Sequence, residues 1–487
     1  MKPKVTCKKW SEDVFYKERN KVLSMWPTGR EVDLDEAIEY HKRLPQHKRF
    51  HAVAEDLTRR QKTVIFPRAG TPILEDEIEL NRSLVEAGLP LLPVTPDSYC
   101  RRGAFALAEK GLEESIKTGK PKLNGYPTVI HGVKNTRKVI ESADAAFNQR
   151  LTNVGGVRLM AEIAFASGMT AALVDPILTF ACYEKNFSAS ECIEHYQYIW
   201  RLVGLYAELG VVLCVDFDGP EPTNLQFPAG VRIASIVITS LLAAEQGVKC
   251  IMPRVGIYGN LIQDVAWTNV ERRLVREYLD RFGYGDVQIP GIFLDQTPLF
   301  PYPQDMPWCF AFLNYSAVTA AIAGATAVYV RTIDEGVGLP TKDAHAMSYR
   351  SANWIFEVVR PQKISLGEEL ELEEKMTELE TRALIEKCLE LGDGDPAVGY
   401  ERAIETGMID FPLPMNRHCQ GKVLGIRDVK GACRYLEFGN LPLPTEVKQF
   451  HREKVLEREK REGRKMDYLV AIEDFWAFSK GRIKSEP

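Results

Sequence analysis

Between about residues 60 and 360 the sequence keeps returning to one unit, a short apolar run rich in β-branched residues followed by a stretch with helical spacing. The runs fall at 62–66 (KTVIF), 89–94, 128–130, 169–174, 211–215, 250–252, 287–294 and 327–330, with a shorter one ending at Arg150. Between them lie helical patterns such as 188–209 and 231–246, the latter apolar around much of its circumference. Strands apolar on both faces, each followed by a helix, imply a parallel sheet covered by helices. About eight repeats favour closure into a TIM-type (β/α)8 barrel, an α/β fold, over an open doubly wound sheet.

The barrel is expected over residues 58–360, after an N-terminal helical arm (1–57) and before a C-terminal α-rich extension (361–487). In that extension 368–391 and 448–464 are charged helical patterns, read as solvated faces with pairs four residues apart. Loop-rich sequence, including Gly439-Asn440-Leu441-Pro442, separates them. Trp308, Phe310 and Phe312, in an apolar helical stretch, read as packing rather than as a ligand box.

Several function classes are disfavoured. Lys and Arg total 62 against 67 Asp and Glu, a net charge of -5, so nothing draws the chain to nucleic-acid phosphates. The N-terminus lacks the apolar core of a signal peptide, and no window is expected to approach the ~20 apolar residues of a membrane span. A cytoplasmic protein is expected. The ten cysteines include no Cys-x-x-Cys pair, and the eight histidines form no ligand cluster, so neither disulfides nor a protein-bound metal is expected. Gly336-Val337-Gly338 lacks the third glycine of a dinucleotide loop and runs into Pro340.

In a parallel barrel the site gathers at the carboxyl ends of the strands, and arginines recur there. Arg68 follows KTVIFP, Arg101 lies in DSYCRRG, Arg150 ends AAFNQR and Arg331 ends TAVYVR. Guanidinium groups stay charged and grip carboxylates with two prongs, so several converging on one mouth would hold a small dicarboxylic acid. The alternative is that each pairs with an acid elsewhere on the rim.

A resemblance adds to this reading. Trp26-Pro27-Thr28-Gly29, Phe66-Pro67-Arg68-Ala69-Gly70, Leu123-Asn124-Gly125-Tyr126-Pro127, the segment 241–249 (LLAAEQGVK), Gly338-Leu339-Pro340-Thr341-Lys342, 391–395 (LGDGD) and 434–440 (RYLEFGN) are similar to the glutamate mutase (methylaspartate mutase) epsilon subunit family, with nearly unchanged spacing from about Lys8 to Arg482. The resemblance implies a barrel that closes over adenosylcobalamin, carried mainly by a separate small subunit with an Asp-x-His-x-x-Gly signature. It also implies a homodimer of this chain within a heterotetramer. The segment Asp343-Ala344-His345-Ala346-Met347-Ser348 lacks that glycine and begins a helical pattern, so it is set aside. The family's three carboxylate-gripping arginines fall on Arg68, Arg101 and Arg150. Cofactor contacts fall on Gly70, Asn124, Tyr302, Glu335 and Leu339, and on Arg331, where the family usually has lysine.

The segment 167–185 (SGMTAALVDPILTFACYEK) departs from the family. The family's glutamate beside the substrate amino group falls on Leu173, its first tyrosine on Thr179 and a cofactor-side proline on Cys182. The second tyrosine remains as Tyr183. A family histidine falls on Leu151, and one residue is inserted before Arg158. Removing the partner of a buried ammonium costs on the order of 3–5 kcal/mol. Three explanations stand open: Asp175, two residues on along the same strand face, supplies the carboxylate; the substrate is a different carboxylic acid; or the chain is a non-catalytic barrel that binds a partner.

Overall fold

Eight of the short apolar runs extend and pair side by side, because each is too short for a helix, rich in strand formers and bounded by turn residues. They are β1 (Val64–Pro67), β2 (Leu91–Val94), β3 (Ala146–Leu151), β4 (Ala171–Val174), β5 (Cys214–Phe217), β6 (Ile251–Gly256), β7 (Phe293–Asp295) and β8 (Ala327–Val330). The structure, a computed structural model, describes residues 5–220, 226–296, 301–338 and 340–486. The strands pair in parallel in the order β1-β8-β7-β6-β5-β4-β3-β2, with helices outside: a TIM-type barrel, as expected. No ladder joins β1 to β2; the one backbone hydrogen bond across that seam among the described residues runs from Thr95 N–H to the Ala69 carbonyl (2.8 Å).

Inward-facing residues stack in layers. The lowest is apolar: Phe66, Leu91, Ala146, Ala171, Cys214, Met252, Phe293 and Ala327 are all buried, and Phe50 closes the base with its ring 6.0 Å from Phe66. Phe50 opens the helix Phe50–Arg59, which is fixed beneath the barrel where its N–H donates to Thr170 Oγ1 (3.0 Å). Above this plug the interior turns polar and charged.

Two element assignments need correction. The run 128–130 is not a strand: it starts the helix Thr128–Glu141, directly after Pro127, and that helix is kinked at Gly132, whose φ is 66°. Its place in the barrel belongs to β3, whose sequence AFNQRL hides its strand character behind three polar residues that are satisfied internally. Asn148 Nδ2 donates to Asp216 Oδ1 (2.9 Å), Gln149 Nε2 to the Val94 carbonyl (3.0 Å), and Arg150 Nη2 to Asp218 Oδ2 (2.9 Å). The helix Met306–Ala323 is, by length and composition, apolar enough to cross a membrane, contrary to expectation; it packs between the barrel helices Leu261–Arg281 and Lys342–Val359. Phe312 on it stacks on Phe478 (4.0 Å between ring centres), in keeping with a packing role.

Before β1, the helices Glu12–Leu23 and Leu34–Arg43 lean on the barrel helix Val157–Ser167, where Arg19 Nε donates to Glu162 Oε1 (2.9 Å). After β8, the charged helix Glu368–Leu391 lies along Leu261–Arg281, and its charges form rungs between helices: Arg273 to Glu378 (2.5 Å), Arg382 to Glu277 (2.6 Å), and Arg281 to Glu386. The loop-rich region beyond it contains an antiparallel pair unforeseen from sequence, β9 (Val423–Arg427) and β10 (Cys433–Phe438).

Candidate active site

Each predicted arginine is set by a different element at the carboxyl end of the barrel. Arg68 directly follows β1. Arg101 ends a short helix, Ser98–Arg101, that exists because Asp97 caps it, accepting from the N–H groups of Tyr99 (2.8 Å) and Cys100 (3.1 Å). Arg150 lies on β3, facing inward, its guanidinium 5.5 Å from the Tyr329 ring of β8 across the barrel. Tyr183 ends the helix Pro176–Cys182 that follows β4.

These four residues come together. Arg101 lies within electrostatic reach of Tyr183, Arg150 and Arg68, and Arg68 within reach of Arg150 and Tyr183. Their counter-charges differ. Arg68 donates to Glu335 Oε1 (2.7 Å) and Arg150 to Asp218 Oδ2 (2.9 Å), whereas Arg101 has the hydroxyl of Thr152 (2.9 Å) and, among the described residues, no ion pair. Burial pulls all three pKa values down; Tyr329 and Glu335 more than offset this for Arg68, and Asp218 and Tyr329 for Arg150. Arg101 stays below its ordinary value through burial, with the positive charges of Arg150 and Arg68 adding to the effect. Arg101 Nε and Arg150 Nη1 are buried donors without a hydrogen-bond partner among the described residues. Such donors await an acceptor.

The predicted cofactor contacts follow the same strand ends, β1, β2 and β4, and two others, β7 and β8. Gly70 follows β1, and a Cβ there would meet the Thr95 carbonyl oxygen at 2.4 Å, so the close approach across the seam already requires glycine. Asn124 is exposed and its Oδ1 accepts from Ser98 N–H (2.9 Å). Cys182 is buried in the helix after β4. Tyr302 follows β7 with the Arg331 guanidinium 5.2 Å from its ring centre, and Glu335, on the loop after β8, has an unspent buried Oε2. Leu339 lies outside the described residues.

The departing segment is placed as follows. Leu173 is fully buried on β4, in register with Arg150 on one side and Asp216 on the other. The Thr179 hydroxyl shares a 2.6 Å hydrogen bond with the Tyr196 hydroxyl, which also lies 3.1 Å from the Leu151 and Asn153 carbonyls. Asp175 caps the helix Pro176–Cys182: its Oδ1 accepts from Ile177 and Leu178 (2.9 Å each) and its Oδ2 from Gly219 (2.7 Å). Burial pushes its carboxyl up to about 6 in spite of these bonds.

Sequence reasoning missed an acidic and basic cluster beneath the trio. Arg254 of β6 pairs with Asp216, with Asp218 (3.2 Å) and with Asp295 (3.8 Å), all fully buried. The signal was present: Asp216, Asp218, Arg254 and Asp295 are charges spaced by two at the ends of otherwise apolar runs, and the period of a strand puts them on the inner face.

The sequence profile of the methylaspartate mutase E chain (MutE) matches residues 44–487. The chain belongs to that family. Among its MutE relatives, the glutamate mutase epsilon subunit of Desulfitobacterium hafniense is 39% identical over 484 residues, 99% of each chain. That of Treponema denticola is 36% identical over 481 residues (99% of this chain, 98% of the relative), and that of Escherichia coli O157:H7 34% over 481 residues (99% of each). The MutE match is thus one of whole chains, and it includes the strands that carry the arginines.

Proposed function

We propose that this chain is the large catalytic subunit of an adenosylcobalamin-dependent carbon-skeleton mutase that rearranges a small amino dicarboxylic acid, with L-glutamate to 3-methylaspartate as the best named example. The reading is carried by one observation: in a MutE-family barrel, Arg68, Arg101, Arg150 and Tyr183 converge on one mouth with two buried arginine donors unspent. Arg101, with no acid of its own, grips one carboxylate; Arg68 and Arg150 grip the other, and Tyr183 orients the chain between them. Adenosylcobalamin supplies the carbon-centred radical that starts the rearrangement. Gly70, Asn124, Cys182, Tyr302, Arg331 and Glu335 would hold it at the rim, and the resemblance adds Leu339. The apolar plug below and the buried walls keep water from the reacting atoms. The main cobalamin-binding surface comes from a small partner subunit with an Asp-x-His-x-x-Gly motif, two copies of each chain forming a heterotetramer in the cytoplasm.

A second reading rests on Leu173. A buried leucine beside Arg150 suits a carboxylic acid with a less polar group at that point, acted on by a related cobalamin mutase. The test is an anaerobic assay of this chain with its small partner and adenosylcobalamin, followed by proton NMR. Conversion of glutamate to 3-methylaspartate supports the first reading. No conversion, with cob(II)alamin forming only when other dicarboxylic acids are offered, supports the second; no change with any of them overturns both.

A further inference from the structure

A substrate ammonium drawn into this mouth loses its water and must find an acceptor. Leu173 offers none. The carboxylates nearby are not equivalent. Asp175 has spent both oxygens on three backbone N–H groups, so it holds the helix Pro176–Cys182 and the turn at Gly219 rather than a ligand. Asp216, held by Asn148 (2.9 Å) and Arg254, differs by depth: it sits one layer below, level with Leu173 and farther from the mouth. Glu335 stands past β8, four strands around the ring from β4, where it serves Arg68.

Asp218 is placed differently. Leu173 is in register with Asp216, so Asp218, two residues on, is on the same inner face of the neighbouring strand, alongside Leu173 and nearer the mouth. Its Oδ2 accepts from Arg150 (2.9 Å), which fixes the side chain. Its Oδ1 is ion-paired with Arg254 Nε at 3.2 Å without a hydrogen bond among the described residues, so this buried oxygen keeps lone-pair capacity for a further donor. The open donors Arg101 Nε and Arg150 Nη1 sit on arginines within electrostatic reach of each other, and Arg150 is the one bonded to Asp218. Open donors beside an open, negatively charged acceptor are the complement of a zwitterion: carboxylates for the arginines, an ammonium for the aspartate.

We propose that Asp218 binds the amino group of the substrate, doing from β5 what the family does from β4 at the position of Leu173. This rests on the proposed function, which makes the substrate a small amino dicarboxylic acid, and it names the residue that reads the amino group. Asp218 is then both a specificity determinant and the counter-ion of Arg150.

The test is calorimetric binding of L-glutamate and of glutarate, the same diacid without the amino group, to the complex of this chain with its small partner and cofactor. The wild type is expected to favour glutamate by at least about tenfold, and Asp218→Asn to weaken glutamate by about a hundredfold while leaving glutarate nearly unchanged. Asp175→Asn is expected to leave the ratio as it was. An unchanged ratio in Asp218→Asn overturns the assignment, as does a ratio abolished by Asp175→Asn alone. Equal binding of both acids to the wild type also overturns it while leaving the dicarboxylate site standing; binding of neither overturns the proposed function as well. Should Asp218→Asn fail to fold, Asp218→Glu decides, because it keeps the charge and moves it: a ratio altered by about tenfold supports the role, and an unaltered one overturns it.

Discussion

The two sides of the barrel mouth are built on opposite plans. The side formed by β1, the segment after β2, and β3 carries three arginines, with Glu335 reaching over from β8. The side formed by β4 and β5 is apolar at Leu173, has a threonine at Thr179 tied to Tyr196, and carries Asp218 above the deeper Asp216 and the helix-capping Asp175. On the proposed function, the first side would hold the part common to all dicarboxylic acids, and the second would read the group that distinguishes one from another. Because the two tasks rest on different strands, the second wall can be rebuilt while the first is kept. The MutE match at 39% identity spans both, so belonging to the family does not by itself fix the wall that chooses the substrate.

Replacing the arginines one at a time gives the largest expected effects and separates their two kinds of support. Arg101→Met should cost about a thousandfold in dicarboxylate affinity yet lower stability by less than Arg150→Met, since the acid it acts on, Asp97, is not ion-paired with it and keeps the backbone N–H groups of Tyr99 and Cys100. Arg150→Met should abolish turnover and also destabilise the fold by about 1.5–3 kcal/mol, because Asp218 loses its hydrogen-bonded arginine and keeps only the ion pair with Arg254. Calorimetry and chemical denaturation distinguish the two; equal stability losses would break the distinction between paired and unpaired arginines.

Next in size is the exchange of the carboxylate between strands. Leu173→Glu places a second acid beside Asp218 and should destabilise the protein by about 2 kcal/mol or more. Adding Asp218→Asn should recover part of that loss and bring glutamate affinity back to within about tenfold of wild type, a coupling that a double-mutant cycle reads directly.

A comparable but purely structural effect is expected at Asp175. Its carboxyl is raised to about 6 when folded against 3.8 for the ordinary group, so its proton favours the folded state. That contribution is full below the unfolded value and fades as pH rises through about 6, amounting to up to about 3 kcal/mol over the window. Denaturation of wild type and Asp175→Asn at pH 4.5 and pH 7 should show a slope in the first that is smaller in the second. The smallest effect is expected for Arg331→Lys, which restores the residue usual in the family. Arg331 touches Glu335 at 3.7 Å and lies over Tyr302, without a two-pronged bond between the charges, so turnover should change by no more than about 1 kcal/mol in barrier. A larger loss would place Arg331 among the gripping arginines.

How far the sequence disclosed this arrangement depended on whether a residue's neighbours in the chain were also its neighbours in space. The apolar runs that became β1, β2, β4 and β8 were plain, because a strand buried on both faces looks apolar locally. The strand β3 was nearly invisible, since Asn148, Gln149 and Arg150 are satisfied by Asp216, Val94 and Asp218, partners up to 68 residues away. The run 128–130 misled for the converse reason: three residues with strand preference follow Pro127, whose fixed φ suits a helix start. The arginine trio could be found from strand ends, yet the sequence pointed to Asp175 and passed over Asp218. Only the backbone N–H groups that surround one and not the other separate them.

The seam between β1 and β2 gives the arginine trio a mechanical side. Elsewhere the ring is stitched by continuous ladders, but here, among the described residues, a single backbone bond from Thr95 to Ala69 does the stitching, and Gly70 lets the two edges touch. Arg68 stands on one lip and Arg101 on the other. On the proposed function, a two-headed anion seated between them would be a clasp across the barrel's least stitched join, and its length would set how far the lips stand apart. A diacid that is too short would leave the hoop slack, and one that is too long would prop it ajar, so the fold itself would work as a gauge of the molecule it holds.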